Sequence, residues 1–349
     1  MQLEFDKNLV LSKIDKVVDK TLSMDLTWDW PCGVAFYGIS RAYEASKNDE
    51  YIQRLKDAVD LRIDVGLPSF WTVNTCSMGH CLMTLYKSTG DEKYMDLIKS
   101  KLDYLQNKAE RFGDNVLQHT VSSSNDFPEQ AWADTLFMAA YFMLRLGVFL
   151  DDRKLIEDAL NQYYYHVEFL QCKSTGLWYH AYNNIEKGHM SGFRWGRANA
   201  WAAYTMSRVR MVLPEPYLYP PYMHIDCSLR DQLSALKALQ RPSGLWGTLL
   251  DDNESYDEVS ASAGIGAAMI LNNNPLHTSH ATAALKGVME NVAEDGSVMN
   301  VSGGTAVMRD RVGYMSVPKV WTQGWGQGLA LAQLAAVLES DSKELKKAR

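Results

Sequence analysis

The feature that most constrains this chain is a helical period that runs almost unbroken and is punctuated by similar joints. Apolar residues spaced i, i+3, i+4 open candidate helices near Glu4, Gly33, Tyr51, Cys76, Glu92, Gln130, Arg153, Arg194, Asp226, Glu258, Pro275 and Gln323, about twelve in all. Convincing strand alternation is nearly absent. The joints Asn48-Asp49-Glu50-Tyr51-Ile52, Asp91-Glu92-Lys93-Tyr94-Met95 and Asp152-Arg153-Lys154-Leu155-Ile156 share one plan. Each offers an Asp as N-cap, charged residues in the first turn, then an apolar pair that starts a buried face. Gly90 and Gly147 precede two of them, where helix-ending glycines belong. A second repeat sets Leu170-Gln171 before Gly176-Leu177-Trp178, and Leu239-Gln240 before Gly244-Leu245-Trp246. In both, a helix ends, a Gly turn follows and a Trp folds back.

About six self-similar hairpins predict an all-α fold, either a solenoid or a closed ring. The long loops Trp28–Cys32, Phe112–Glu129, Lys173–Phe193 and Asn300–Thr322 carry the unusual residues. Long loops in a compact domain are usually functional. They favour a closed (α/α)6 barrel, one domain over residues 1–349, with loops crowding one mouth.

A net charge of -7 without a Lys/Arg run argues against nucleic acid as partner. Cys32, Cys76, Cys81, Cys172 and Cys227 make an odd set without CxxC pairing, which suits free thiols in a reducing compartment. No unbroken apolar stretch suggests a signal peptide or a membrane span, so the expectation is a cytoplasmic protein. His80, His119 and His189 lack metal-ligand spacing, and Gly303-Gly304 has neither a preceding strand nor a following Lys. No metal and no cofactor are expected. No GxSxG elbow occurs.

Aromatic residues make up 11% of the chain, including ten tryptophans. Such rings stack on the apolar faces of sugars while sugar hydroxyls are hydrogen-bonded at the edges. Within Gln130-Ala131-Trp132-Ala133-Asp134-Thr135-Leu136-Phe137-Met138, Asp134 stands at an expected helix start beside an apolar run. It reads either as a general acid/base, its pKa raised by Trp132 and Phe137, or as a carboxylate capping free helix N–H groups. Trp178-Tyr179-His180 and the string Phe193-Arg194-Trp195-Gly196-Arg197-Ala198-Asn199-Ala200-Trp201 bring further candidates. There an Arg can clamp a carboxylate while a Trp stacks on a sugar. Trp195 and Trp201 are six apart and need not share a face, and a lone His180 is more often structural than catalytic. Trp28-Asp29-Trp30-Pro31-Cys32-Gly33 offers a wall of the site or a bulky plug.

Together these residues resemble glycoside hydrolase family 105, the unsaturated rhamnogalacturonyl hydrolases, related to the family 88 unsaturated glucuronyl hydrolases. The resemblance runs from Trp28 to about Gln327. It is carried by Trp28-x-Trp30-x-x-Gly33-Val34, Leu85-Tyr86-x-x-Thr89-Gly90-Asp91-Glu92-Lys93-Tyr94 and Trp132-x-Asp134-Thr135-Leu136-Phe137-Met138. Further on come Gly176-Leu177-Trp178-Tyr179-His180, Trp195-Gly196-Arg197-x-Asn199-x-Trp201 and Ser255-Tyr256-x-Glu258-x-Ser260. Each piece is weak alone; in this order they are specific.

The resemblance implies the same six-hairpin barrel and removal of a 4,5-unsaturated uronic acid from the non-reducing end of lyase-derived oligosaccharides. Hydration of the vinyl ether needs one carboxyl group, unlike the usual two-carboxylate scheme. By resemblance Asp134 is the acid/base, while Trp195, Arg197, Trp201 and His180 hold substrate, with Trp30, Trp132 and Asn74 completing the wall. Asn74 stands where the family commonly has a second Asp, and Trp30 where a Tyr is usual. Two other readings stay open: an inactive sugar-binding protein that kept the pocket, and a sugar epimerase on the same barrel.

Overall fold

The structure is a computed structural model that describes residues 3–68, 70–121 and 127–341. Among the described residues twelve helices alternate between an outer and an inner ring. The outer ones are α1 (Lys7–Ser23), α3 (Asp49–Val65), α5 (Glu92–Asn107), α7 (Arg153–Leu170), α9 (Pro220–Ala238) and α11 (Thr278–Glu290). The inner ones are α2 (Trp30–Ser46), α4 (Gly79–Thr89), α6 (Tyr141–Leu150), α8 (Gly196–Val212), α10 (Val259–Asn272) and α13 (Gly324–Asp341). A single-turn helix, α12 (Arg311–Met315), lies in the last long loop. Helix α13 packs on both α10 and α2, so the inner ring closes and the solenoid reading falls. The (α/α)6 barrel expected from the period is the fold observed.

Inner helices are buried nearly all round: every residue of α10 from Val259 to Leu271 is inside. Outer helices bury one stripe, as Tyr94, Met95, Ile98, Lys101, Tyr104 and Leu105 do in α5. Among the described residues no helix is long and apolar enough to cross a membrane.

The joints work as their sequence suggests, with two corrections. Asn48, Asp91 and Asp152 accept from the backbone N–H of Glu50, Lys93 and Leu155, so the first cap is Asn48 rather than Asp49. Each such cap contributes about 1 kcal/mol. Gly90 ends α4 in the left-handed conformation. Gly147 does not end a helix: it sits inside α6, because a Cβ there would lie 2.9 Å from Ile156 of the neighbouring α7.

The second repeat is a repeat of geometry. Gln171 donates to the carbonyls of Gly176 and Ser228, and Gln240 donates to those of Gly244 and His280. In each case one amide ties the Gly turn to the next outer helix or its entry. Gly176 and Gly244 have φ of +75° and +79°, and a Cβ on either would strike the carbonyl of Asp231 or Ala283.

Among the described residues five strands of two or three residues complete the fold. Three of them, β3 (Gln130–Trp132), β4 (Ala181–Asn183) and β5 (Gly188–His189), form a small antiparallel sheet at the mouth; β1 (Arg111–Phe112) pairs with β2 (Val116–Leu117). The helix expected from Gln130 therefore starts later. Residues 130–132 are strand, helical structure begins at Asp134, and a π-helical turn spans Leu136–Ala140 before α6. Residues 122–126 of the Phe112–Glu129 loop lie outside the described residues.

Candidate active site

The short sheet sets the central geometry. Trp132 pairs with Ala181, and the Ala133 N–H donates to the His180 carbonyl. That register leaves Asp134, two residues past Trp132, facing His180, one residue before Ala181. His180 Nε2 lies 3.6 Å from Asp134 Oδ2. Tyr314 of α12 places its hydroxyl 3.0 Å from His180 Nδ1. Burial holds His180 below the usual histidine range and pushes the Tyr314 phenol up to about 12. The ionised Asp134 carboxylate can only accept, so the arrangement favours a neutral His180 ring with its proton on Nε2, aimed at Asp134, and Nδ1 accepting from Tyr314. Ser191 in turn hydrogen-bonds Tyr314.

Asp134 itself is not raised, contrary to the expectation from its apolar neighbours. Burial does push its carboxyl up, but His180, His119 and Arg197 outweigh it and leave the pKa below the ordinary aspartate value. His119 is pushed down to about 3 by burial, so near neutrality it is uncharged and Arg197 is the permanent cation of the group. The local sequence shows the apolar run but not these three partners, which arrive from three other segments.

Around Asp134 the rings form a continuous wall. His119 stacks on Trp132 at 4.5 Å, Trp132 meets His180 edge-on at 5.2 Å, and His180 lies 4.1 Å from Trp195. The Arg197 guanidinium sits 4.6 Å from the Trp195 ring and 5.3 Å from that of Trp325, which stacks on Trp30 at 4.6 Å. The cavity they enclose has a volume of about 300 Å³. That is near the lower end of the ~300–1,000 Å³ found for small-molecule sites.

Of the residues expected from sequence, Trp30, Asn74, Trp132, Asp134, Trp195 and Arg197 line this cavity, and His180 stands beside it on Asp134. Trp201 is not on the wall: it is fully buried beneath it, packed 4.9 Å from Phe137. Six residues on an α-helix turn a side chain away from its partner, and here that takes Trp201 into the core.

The Arg197 fork is not free to clamp a carboxylate. Its terminal nitrogens donate to Ser260 Oγ, the Ser302 carbonyl and Oγ, the Gly303 carbonyl and Thr305 Oγ1. Glu258, wholly buried at the head of α10, lies 3.6 Å away and also accepts from Ser260 and Ser302. Arg197 therefore fixes the 302–305 loop against the cavity and contributes charge there.

Several site residues carry no signal in the sequence: His119, Val121, Phe127, Gly304, Thr305 and Ala306 on the wall, and Tyr314 behind it; the aromatic segment 322–327 borders the mouth through Trp325. The two long loops that carry most of them stood out, but no local pattern marks which of their residues face inward. Asn74 reaches the wall from a 3₁₀ turn, Asn74–Met78, whose first N–H donates to the Thr120 carbonyl. Its Oδ1 is buried without a hydrogen-bond partner, as are Asp134 Oδ2, His180 Nε2 and Trp195 Nε1. Such unmet groups are costly in a finished core and suit a wall that a polar ligand completes. Among the described residues no cluster of His, Cys, Asp and Glu has the geometry of a metal site.

The model of Glycosyl Hydrolase Family 88 matches residues 6–340. The chain is 49% identical over 343 residues to the unsaturated rhamnogalacturonyl hydrolase YesR of Bacillus subtilis (strain 168), covering 98% of each. A solved structure described as a possible member of the GH105 family, from Salmonella enterica serovar Paratyphi A, superposes with a TM-score of 0.91 at 24% identity. That match covers 98% of this chain and 97% of the other. The unsaturated glucuronyl hydrolase of Bacillus sp. GL1 superposes with a TM-score of 0.72 at 15% identity, over 94% and 96% of the two chains.

Proposed function

Because the chain belongs to Glycosyl Hydrolase Family 88, we propose that the ring-lined cavity around Asp134 is where it acts as an unsaturated-uronyl hydrolase. It is a glycoside hydrolase that releases a 4,5-unsaturated uronic acid from the end of an oligosaccharide, and rhamnogalacturonan-derived disaccharides are its substrates. The observation that carries the assignment to this cavity is a carboxylate standing among stacked rings, with no second carboxylate on the wall among the described residues. A displacement at the glycosidic carbon calls for two flanking carboxyl groups. Hydration of a vinyl ether calls for one.

In this reading Asp134 delivers its proton to C4, and the positive charge that develops at C5 is shared with the ring oxygen. Water bonds to C5 and gives a proton back to the Asp134 carboxylate. The hemiketal opens and expels the rest of the oligosaccharide. Resting Asp134 is ionised at neutral pH, but a bound uronate excludes water and brings a negative charge of its own, and both push the carboxyl upward. His180, held by Tyr314, orients the carboxylate. The tryptophans supply faces for the sugar rings, and the buried unpaired atoms of Asn74 and Trp195 are placed to meet hydroxyls. The five thiols, all unpaired, support a reducing, cytoplasmic setting for this reaction.

The test is direct. Incubating the protein with an unsaturated rhamnogalacturonan disaccharide removes the ultraviolet absorbance of its double bond. Absorbance that persists across a panel of unsaturated uronides overturns the reading.

A further inference from the structure

A second cavity, larger than the first, opens at the opposite end of the barrel. Its volume is about 500 Å³, and it is partly open to solvent. Arg41 on α2, Arg145 on α6 and Arg208 on α8 reach into it, all three buried, and the exposed Lys47 and Lys87 stand at its rim. Against these five cations it has two carboxylates, Glu44 and Glu339.

The pairing leaves cationic charge over. Arg41 is bonded to both Glu44 and Glu339, and Arg208 donates to Glu339 at 2.8 Å. Arg145 is the least compensated: one of its nitrogens donates to His80 Nδ1 at 3.0 Å and to the His80 carbonyl at 3.3 Å, and its ion pair with Glu44, at 3.6 Å, is to a carboxylate that Arg41 also bonds. His80 does not share the charge, since burial and Arg145 hold it well below the usual histidine range and its Nε2–H donates to the Phe137 carbonyl.

Helix C-termini explain only part of this. Inner helices end at this side, and the carbonyl end of a helix favours cations, but only across its last turn. Arg41, Arg145 and Arg208 stand more than a turn before the ends of α2, α6 and α8, at Ser46, Leu150 and Val212. The positive field is felt by its neighbours: against burial, which pushes it up, the Tyr141 phenol on the cavity wall is drawn down to about 8 by Arg208, Arg145 and Arg41, and Lys87 is lowered by burial first and by Arg145 second.

We propose that this far cavity is a binding site for a small multivalent oxyanion, phosphate or polycarboxylate, held by Arg145 with Lys87 and Lys47 at the entrance. Buried guanidinium N–H groups next to an open volume are the arrangement that grips such anions in forked, charge-assisted bonds. The site is separate from the mouth: Arg197 and Arg208 share α8, eleven residues or about 16 Å apart at 1.5 Å per residue.

Calorimetric titration of the full chain at low ionic strength, with inorganic phosphate and with citrate, tests this. The expected result is one saturable site that weakens as salt is added, by either anion or both; which of them binds identifies the oxyanion class. Arg145→Gln weakens binding roughly tenfold or more, the effect of one lost charge-assisted hydrogen bond. Lys87→Gln, an exposed change that leaves the fold alone, weakens it about threefold. Saturating the disaccharide site does not displace the anion, and Asp134→Asn binds it like the wild type. Absence of saturable binding overturns the proposal. So does binding that Lys87→Gln leaves untouched, or binding that the disaccharide competes away, which would place the anion at the mouth beside Arg197.

Discussion

The two ends of the barrel are made from the same inner helices and treat polar groups in opposite ways. Trp30, Asp134 and Arg197 line the mouth; eleven residues later on the same segments stand Arg41, Arg145 and Arg208 of the far end. In α2 and α8 eleven residues is about three helical turns, so Trp30 and Arg41, and Arg197 and Arg208, share a face of their helix; between Asp134 and Arg145 the π-helical turn changes the phase. Between the two ends the phenol of Tyr37 bonds those of Tyr141 and Tyr204. At the mouth, the buried polar atoms of Asn74, Asp134, His180 and Trp195 are left unpaired. At the far end, Glu339 is locked between two guanidiniums. One end keeps unmet hydrogen-bonding capacity for a ligand that supplies it, whereas the other ties helix ends together through charge. Mutations should therefore separate activity from stability according to the end they strike.

The largest effect is expected at the mouth. Asp134→Asn keeps shape and hydrogen bonding but removes the proton, and kcat should fall by about 10³-fold or more. The thermal midpoint should move by only a few degrees at most, on the order of the shift for a near-isosteric change. A variant that kept a tenth of wild-type kcat would remove Asp134 from its role.

Glu339→Gln should do the reverse. It strands Arg41 and Arg208 without their shared carboxylate, and breaking such a buried network costs about 3 kcal/mol. Urea unfolding should show the loss, with kcat per folded molecule little changed. The pH dependence follows from the same pair. Arg208 and Arg41 hold the Glu339 carboxyl down at about 2, below its ordinary 4.5. A carboxyl lowered by folding stabilises the fold fully above its unfolded value, and that stabilisation fades as pH falls from 4.5 toward 2. Glu339→Gln should flatten this acid limb of the stability curve; an unchanged limb would mean that Glu339 is not what ties the far end.

How much of this contrast was legible in the sequence depends on distance along the chain. The barrel was, because caps such as Asp91 and Gly90 and the Gln171–Gly176 and Gln240–Gly244 turns are local devices that recur. The strand at Gln130–Trp132 was hidden, since its three residues pair with Ala181–Asn183, fifty residues on, and continue directly into helical structure. For the same reason the local sequence points the pKa of Asp134 the wrong way: Trp132 and Phe137 are visible beside it, whereas His180, His119 and Arg197 come from elsewhere. Trp201 carries the same motif as Trp195 but ends in the core, because helical phase, not motif membership, decides which side chain reaches the mouth. The far-end arginines recur at an eleven-residue offset, yet nothing in a sequence says that two positions on a helix face one axis until the ring is closed.

A smaller effect should come from behind the mouth. Tyr314→Phe removes the donor that fixes the His180 proton on Nε2. We expect kcat to fall about tenfold with KM nearly unchanged, the pattern of an interaction that orients rather than binds. The alkaline limb of the profile should also rise, since Asp134 loses the nearby Nε2–H whose positive end favours its ionised form. A variant merely less stable, with an unmoved profile, would assign Tyr314 to packing.

The smallest expected change is also the sharpest comparison of the two ends. Asn74→Asp would put a second carboxylate on the wall that Asp134 lines. A like charge in the same enclosed cavity disfavours the ionised form, so the Asp134 pKa rises; as the group must be protonated to act, activity should persist to higher pH. A displacement of roughly half to one pH unit in the alkaline limb of kcat/KM is expected for partly screened charges. Lys87→Glu changes the net charge twice as much, but at the far end and exposed to water, farther away than the ~8–10 Å over which salt screens such charges. It should leave the profile where it is. If both substitutions moved the limb equally, the shift would report the net charge of the molecule; if only Asn74→Asp moved it, the cavity would be sensing a carboxylate on its own wall.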